Sequence, residues 1–484
     1  MSLLPMLKTI CGSESATDSE LQCLSYTLTQ SPNLFFFPLK KPDYVAYPQT
    51  TDHVAGIMRL ANRTKTPVLL RGSGSSSMSC NVALEGGILI DMRHMDQILE
   101  INEDNMVVVA EGGCSVNKIL RECYNKGLLL PLAPEWQASP QIGASINTNA
   151  TGHYINKTGR LGDMVVGLEV VIPTGEVITL GSGAYKWGAH YHKYMGIPDL
   201  LGLFINAGGT MGCVTKVALR LKTWPKMKHM IYYWKADEID KVTQAHYELQ
   251  RYAEIFSLEL LNRYTARPLT GIDIKPPVEM PDDVGFLMLI IQDGLTDEEL
   301  AVRTKIAKEI LLKNDGRDLG DIWERLAGPP NYWWYTMYCD TLYGGGLKPA
   351  PGEKVAVGLN SACTMIYCPT KMLPEIYKLG YDLYVKKYGF PEKYYLWYGW
   401  ADRNAMDPYP MFFFNGADAE EVKVFANFWR EFHLEAAKLG CVSYNTGIGH
   451  PKEMREWLGP AFELYKMVKG VLDPNGILNM PAAT

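Results

Sequence analysis

A chain of 484 residues, 47% hydrophobic and 21% charged, has the length for two sizeable domains and the make-up of an ordinary globular protein. A net charge of −6 argues against a general nucleic-acid binder, although a local basic patch stays open. No apolar run is long enough to cross a bilayer, and Met1 to Cys23 lacks the basic start and apolar block of an export signal, so the expected location is cytoplasmic.

In chain order, Pro48-Gln49-Thr50-Thr51 opens a helix whose apolar residues Val54, Ile57, Met58 and Ala61 fall at helical spacing. Val68-Leu69-Leu70 reads as a strand entering Arg71-Gly72-Ser73-Gly74-Ser75-Ser76-Ser77. Small residues there let successive backbone N–H groups turn inward on a phosphate, and the hydroxyls add donors. Gly87-Ile88-Leu89-Ile90-Asp91 is a second buried strand. With Asp91 beyond it, Gly72-Ser73-Gly74 looks like a dinucleotide fingerprint, but that motif must open a helix. Met78 to Gly87 has no helical period and Ser77 stands where the third glycine belongs, so a nicotinamide-dinucleotide site is rejected.

Ile98 to Ile101 and Met106 to Ala110 make a hairpin-like pair, Glu111 to Val116 a turn and Asn117 to Tyr124 a helix. Strands at Val165 to Ile172 and Glu176 to Leu180 flank the turn Pro173-Thr174-Gly175. From about Thr223 the pattern changes to amphipathic stretches, Glu238 to Ile255, Thr296 to Leu312 and Ala419 to Leu439, the second opened by a capping box at Thr296-Asp297-Glu298-Glu299. Aromatic strands at Tyr394 to Trp400 and Pro410 to Phe414 lie between them, which predicts an antiparallel sheet covered by helices. The tail holds a helix near Pro460 to Lys469 and the turn Asp473-Pro474-Asn475-Gly476. The ten cysteines are scattered with no Cys-x-x-Cys pair, which argues for buried free thiols over a zinc, iron–sulfur or disulfide framework.

Several of these pieces, in order, resemble the FAD-binding domain of the vanillyl-alcohol oxidase / p-cresol methylhydroxylase (PCMH-type) superfamily. They are Pro48-Gln49-Thr50-Thr51 with its helix, Pro67 to Gly74, Gly143-Ala144-Ser145-Ile146-Asn147-Thr148-Asn149, Gly162 to Glu176, Gly209 to Lys216, and the tail Leu472-Asp473-Pro474-Asn475-Gly476-Ile477-Leu478. The resemblance implies an α+β fold: a two-subdomain FAD-binding domain at 1–222, an antiparallel-sheet cap covered by helices at 223–440, and a segment at 441–484 returning to the FAD domain. It places the FAD pyrophosphate at Arg71, Gly72, Ser73, Gly74, Ser75 and Ser76. It places the isoalloxazine near Gly143, Ser145, Asn147 and Thr148, with Gly212 and Val214 closing the domain. Relatives with a covalent flavin use a His in the phosphate loop, and Arg71 to Ser79 has none, or a His in the cap, where Thr364 stands. Cys363 beside it is a conceivable nucleophile, but the resemblance implies non-covalent FAD.

Two branches of the superfamily compete. The 2-hydroxy-acid branch typically holds a divalent metal through a Gly-Asp-Gly-Asn segment, which this chain lacks. His229, His246 and His433 are not paired at ligand spacing, so no metal is expected. The phenol-oxidising branch matches Tyr409 to Asn415, the acidic run Ala417 to Glu421, and Gly440 to Thr446, which keeps the tyrosine as Tyr444 but has Asn445 in place of the phenolate-binding arginine. Asn147 is the nearest match to an acidic residue near flavin N5.

The expectation is therefore an oxidase or dehydrogenase that removes a hydride from an aromatic or apolar alcohol or alkylphenol to flavin N5. Tyr444 orients the substrate oxygen beside Asn445, and His450 or Arg403 serves as base or anion partner. Whether Arg403 or Lys452 compensates for the missing arginine stays open, and without it either the phenol is bound neutral or the substrate is not a phenol; Tyr332, Trp333, Trp334 and Tyr335 line the pocket or the cap core. Two alternatives stay open: an FAD-dependent D-2-hydroxyacid dehydrogenase of the lactate or glycolate type, and the flavoprotein subunit of an electron-transfer complex. No second redox centre is encoded, so electrons leave to oxygen or to an acceptor protein. A homo-oligomer also stays open.

Overall fold

The computed structural model describes residues 2–27, 40–75, 83–132, 140–265, 281–320, 359–363, 366–444 and 451–478. Ala16–Thr17 (β1), Tyr44–Ala46 (β2), Val68–Arg71 (β3) and Ile88–Asp91 (β4) form a sheet in the order β1-β2-β4-β3, with β4 parallel to β2 and β3. Parallel neighbours need a crossover. The helix Thr51–Thr64 carries the chain from β2 across to β3 on the far side of β4, capped by the Thr50 side chain, which accepts from the His53 amide, and burying Val54, Ile57, Met58 and Ala61 as the sequence predicts. The chain runs from β3 straight into Gly72–Ser75, so this sheet edge carries the glycine–serine loop.

Ile98–Asn102 (β5), Val107–Glu111 (β6), Val165–Val171 (β8), Val177–Gly181 (β9) and Cys213–Arg220 (β10) form an antiparallel sheet, β5-β6-β10-β8-β9. Ile119 and Leu120 of the helix Val116–Tyr124 and Ile142 and Ile146 of the helix Ile142–Asn147 pack in its core. The latter segment, expected as a loop, is a six-residue helix. Its small residues let it lie on the sheet: a Cβ on Gly143 would stand 2.8 Å from the Gly112 carbonyl oxygen. Lys222–Thr223 (β11) then pairs with Leu128–Leu129 (β7).

The third sheet is antiparallel throughout. Lys226–Trp234 (β12), Ser257–Asn262 (β13), Phe286–Gly294 (β14), Arg317–Asp318 (β15), Leu359–Cys363 (β16), Tyr395–Asp402 (β18) and Ala405–Asn415 (β19) run in the order β15-β12-β14-β13-β18-β19-β16. Ile366–Tyr367 (β17) pairs with Val442–Ser443 (β20), where the chain leaves the cap. One face, with Tyr232, Trp234, Leu258, Leu260, Tyr395, Trp397, Phe412 and Phe414, packs against the helices Ile239–Tyr252, Leu373–Tyr381 and Ala419–Lys438. By the period of two, the opposite face carries Glu259, Tyr398, Trp400, Asp407 and Tyr409.

Past the cap, the helix Pro460–Leu472 returns to the first two sheets. The Lys469 ammonium donates to the carbonyls of Thr210 at 2.6 Å and Leu478 at 2.9 Å and pairs with the buried Asp473. Asp473 also accepts from the amides of Ile477 and Leu478, and the Val68 amide donates to the Ile477 carbonyl at 2.8 Å. The Leu472-to-Leu478 signature is thus a clasp that adds the tail to the first sheet.

Candidate functional site

Two small-residue segments meet where β3 ends. A Cβ on Gly72 would fall 2.7 Å from Oε1 of Gln141 and 3.2 Å from Cβ of Ala144, so the glycine–serine loop and the helix Ile142–Asn147 touch only because residue 72 lacks a side chain. Gly74 has φ of +77°, the left-handed region that favours glycine, and its Cβ would strike the Arg71 guanidinium. Arg71 is buried, donates to the Tyr26 carbonyl at 2.8 Å and lies over the Tyr26 ring. Ser73 donates to Ser75 at 3.1 Å, while Ser76 lies outside the described residues. Asp91 is consumed by Arg93 and by the Tyr26 hydroxyl at 2.6 Å, a structural role that agrees with rejecting a ribose-binding acid.

On the neighbouring helix, Ser145 donates back to the Gln141 carbonyl at 2.9 Å, and Thr148 to that of Ala144. Asn147 holds the turn Asn206–Gly209: its carbonyl accepts from the Gly208 amide at 2.8 Å and its Oδ1 from the Gly209 amide at 3.1 Å. Gly212 packs on Val170 and Val171, and the Val214 carbonyl faces Gly112 and Gly143. Oε1 of Gln141 is buried without a hydrogen-bond partner among the described residues. A buried orphan acceptor at the junction of two glycine segments is what a large ligand with its own donors would satisfy, and FAD, with ribose hydroxyls and ring N–H groups, fits.

Beside this cradle lies a group the sequence did not single out. Arg160, 4% exposed, follows Gly159 at the end of a segment that docks on the open face of the third sheet. Within that segment Asn156 donates to the Ile255 carbonyl at 2.6 Å and Lys157 pairs with Asp293 at 2.8 Å. The Arg160 guanidinium reaches Asp402 through Nε at 2.9 Å and Asp407 through Nη2. Its Cζ lies 4.5 Å from the Tyr367 centroid and 4.7 Å from that of Tyr444, two rings that meet edge to face with centroids 6.0 Å apart. Burial opposes its charge, but Asp407, the two tyrosines and Asp402 outweigh that and keep it protonated. Burial pushes the Asp407 carboxyl up to about 7, an effect only partly offset by Arg160. Nη1 of Arg160 and Oδ1 of Asp407 are buried with no hydrogen-bond partner among the described residues.

Tyr444, the expected substrate-orienting residue, stands in this cluster. Its hydroxyl donates to the carbonyls of Thr148 and, at 3.1 Å, Asn149, while its own carbonyl accepts from Asn206 at 3.2 Å. The ring therefore joins the cradle to Arg160. Arg403 is placed differently from its expected role as base or anion partner. It sits on the turn between β18 and β19 with φ of +53°, half-exposed, bound to Asp163 at 3.3 Å and to the Thr158 carbonyl. A β-turn points its side chain at solvent, where an ion pair is worth little. Asn445, His450, Thr364 and Tyr332 to Tyr335 lie outside the described residues, as do the side chains of Cys363 and Lys452. Among the described residues no group of three or more His, Cys, Asp or Glu could hold a metal.

A sheet-edge loop facing a small-residue helix, roofed by a large antiparallel sheet, defines an FAD-binding oxidoreductase of the PCMH type. Residues 42–181 match the FAD binding domain family, and residues 228–481 match the family described as FAD linked oxidases, C-terminal domain. The chain belongs to the FAD-linked oxidases, and its cofactor is FAD. It is 31% identical to the glycolate oxidase subunit GlcD of Bacillus subtilis over 59% of this chain and 58% of that one. It is 26% identical to a D-lactate dehydrogenase of Anaerostipes hadrus over 91% of this chain and 89% of that one. Among solved structures, p-cresol methylhydroxylase with substrate bound superimposes with a TM-score of 0.81 over 99% of this chain and 96% of that one, at 17% identity. Identity that low speaks for the fold alone.

Proposed function

We propose that this protein oxidises the hydroxyl-bearing carbon of a 2-hydroxy acid, with Arg160 as the partner of the substrate carboxylate. The observation that carries the reading is the buried guanidinium whose Nη1 has no hydrogen-bond partner among the described residues. A buried donor left unsatisfied costs about 1–3 kcal/mol, and a carboxylate is the acceptor that best matches a planar guanidinium. The Tyr367 and Tyr444 rings lie against that guanidinium and add cation–π attraction to its two carboxylate partners. The relatives named for glycolate and D-lactate support this reading over the alkylphenol one, for which the cresol enzyme offers only a shared fold. The Tyr444 hydroxyl, which the alkylphenol reading needs for the substrate, is given to backbone carbonyls.

Bound FAD supplies a hydride acceptor. The chain's own residues bind, orient and tune charge. Below pH of about 7, Asp407 is neutral and tolerates a carboxylate beside Arg160; above it, its charge repels one. The described residues hold no His, Cys, Asp or Glu group that fits the divalent metal associated with the hydroxy-acid branch.

The test is anaerobic mixing with glycolate, D-lactate, D-2-hydroxyglutarate, D-mandelate, p-cresol, 4-ethylphenol and vanillyl alcohol, following bleaching of the flavin absorbance. Reduction by at least one hydroxy acid, lost in Arg160→Met with flavin content intact, is expected. Reduction by the phenols alone returns the assignment to the alkylphenol branch.

A further inference from the structure

Where the chain enters the last part of the cap and where it leaves it, β17 and β20 pair antiparallel, Ile366 opposite Ser443 and Tyr367 opposite Val442. One step further along the same register, Cys368 stands opposite Cys441. The Cys368 amide donates to the Met406 carbonyl at 2.9 Å, and its carbonyl accepts from the Met406 amide at 2.8 Å. Both backbone groups of a strand residue point to one side, so those of Cys368 point away from Cys441 and the two form a non-hydrogen-bonded pair. Such partners hold their Cα atoms about 4.5 Å apart with side chains close together, inside the roughly 4.4–6.8 Å that a disulfide spans.

Both side chains lie in the aromatic core of the cap, 2% and 9% exposed, as free thiols. Each is a hydrogen-bond partner of the other. Alternation sends Tyr367 and Tyr444 to the opposite face, against Arg160. No local motif announces the pair, because strand pairing and not sequence spacing brings the two cysteines together.

We propose that Cys368 and Cys441 are a dithiol that hydrogen peroxide converts to a disulfide, a covalent staple between the strands that carry the cap away from Arg160 and back to it. Its formation depends on neither the substrate nor the electron acceptor of the flavin. The two sulfurs are not equivalent. Accepting the Cys368 S–H lowers Cys441 from the ordinary thiol value against the opposing effect of burial. Cys368 is raised, first by that shared proton and then by burial, with the charges of Cys441, Asp407 and Glu375 adding to both. A proton shared by two groups eases the first ionisation and opposes the second.

The thiolate is the form that attacks, and Cys441 is also the more exposed of the two. It follows Gly440, where the helix Ala419–Lys438 has ended and the chain turns with φ of +86°. The other thiols among the described residues lack such a partner effect. Burial pushes Cys114, Cys123 and Cys213 up to about 12 and Cys11 up to about 11, and it raises Cys23 as well.

In the first step the Cys441 thiolate attacks one peroxide oxygen. An S–O bond forms, the O–O bond breaks, and the departing hydroxide takes the proton Cys441 released, giving water and a sulfenic acid. The Cys368 sulfur then attacks the Cys441 sulfur. The S–S bond forms, the S–O bond breaks, and hydroxide leaves with the Cys368 proton as a second water. The dithiol loses two electrons and the peroxide gains them. The disulfide draws the Cβ atoms to about 3.8 Å, and it closes a loop holding β18, β19 and the helices Leu373–Tyr381 and Ala419–Lys438.

The test treats the FAD-loaded full chain with hydrogen peroxide, blocks remaining thiols and maps peptides without reductant. A Cys368–Cys441 linked peptide is expected. Cys368→Ser should leave Cys441 as a sulfenic acid that dimedone labels, whereas Cys441→Ser should leave Cys368 unlabelled. The Tm of the linked wild type should rise by about 5 °C or more and return with dithiothreitol, which does not restore oxidised methionine; neither variant should show this reversible rise. No linked peptide at peroxide concentrations that oxidise the exposed Met467, dimedone on Cys368 in Cys441→Ser, or a linked protein with the Tm of the reduced one overturns the inference. The peptide map needs no substitution, so it decides even where a variant fails to fold.

Discussion

At the scale of single residues, Asp407 shows how burial sets chemistry. A carboxyl in water ionises near pH 4; this one is fully buried on a strand and is pushed up to about 7. The sign follows from linkage. Between the unfolded and folded values the folded state holds a proton that the unfolded state has released, so the stability Asp407 contributes is full below about pH 4 and is lost as pH rises to about 7. Other carboxylates, such as Glu238, lowered to about 2 by Arg317, slope the opposite way, so the comparison must be a difference. The Tm of wild type minus that of Asp407→Asn should fall between pH 4 and pH 7, and a flat difference would show that the carboxyl is ionised throughout. The same titration predicts that binding of a hydroxy acid weakens above pH of about 7 in the wild type and not in Asp407→Asn, as a pH series of apparent Kd values would show. Tyr444, which the sequence offers as the substrate-orienting residue, gives its hydroxyl to backbone carbonyls. Tyr444→Phe should therefore cost about 1–3 kcal/mol of stability by leaving the Thr148 and Asn149 carbonyls short of a donor, which denaturant titration can measure. Arg160 was not legible as a site residue. The signal that could have exposed it was Asp407 inside the apolar strand Met406 to Phe414, because a buried charge requires a partner.

At the scale of elements, legibility followed periodicity. The helices Thr51–Thr64 and Ala419–Lys438 were read within a residue or two because their apolar residues gather on one face, and Asp297–Lys313 because its capping box at Thr296 marks the start. β12, β13 and β14 were passed over. They lie inside the third sheet with both faces covered, and every residue of Phe286–Gly294 is buried, so no alternation marks them. The helix Ile142–Asn147 was read as a loop because glycine, serine and asparagine favour turns. What holds it helical is contact, since Gly143 lets it approach Gly112 and Val214 more closely than any side chain permits. Gly143→Val should therefore displace this helix, and Gly74→Val should strain the loop through both φ and the Arg71 clash. Each variant is expected to purify with far less FAD per chain than wild type, measured as the ratio of absorbance at 450 and 280 nm (roughly the flavin and aromatic maxima). Wild-type flavin content in both would remove these two segments from the cofactor site.

At the scale of the molecule, the cap and the FAD-binding sheets meet, among the described residues, through a short polar docking segment and a small apolar cluster of Leu129, Tyr154, Phe256 and Ile291. His153, Asn156, Lys157 and Arg160 each reach a polar group of the third sheet, and the tail returns through Lys469 and Asp473 to the first. Contacts of this kind are strong only while water is kept out, because each buried donor or ion loses its compensation once the layers part. FAD bound in the cradle against this junction should therefore stabilise the whole assembly. The sequence offers no histidine at either tether position, Arg71 to Ser79 or Thr364, so that stabilisation should come from a dissociable ligand and follow mass action. Apoprotein prepared by acid treatment and refolded should gain about 2.7 kcal/mol at 100 times the Kd of FAD, with Tm rising steadily with the logarithm of added FAD. Acid precipitation of the yellow holoprotein should leave the flavin in the supernatant. Flavin retained in the pellet, together with a Tm indifferent to added FAD, would instead demonstrate a covalent tether and direct attention to Cys363.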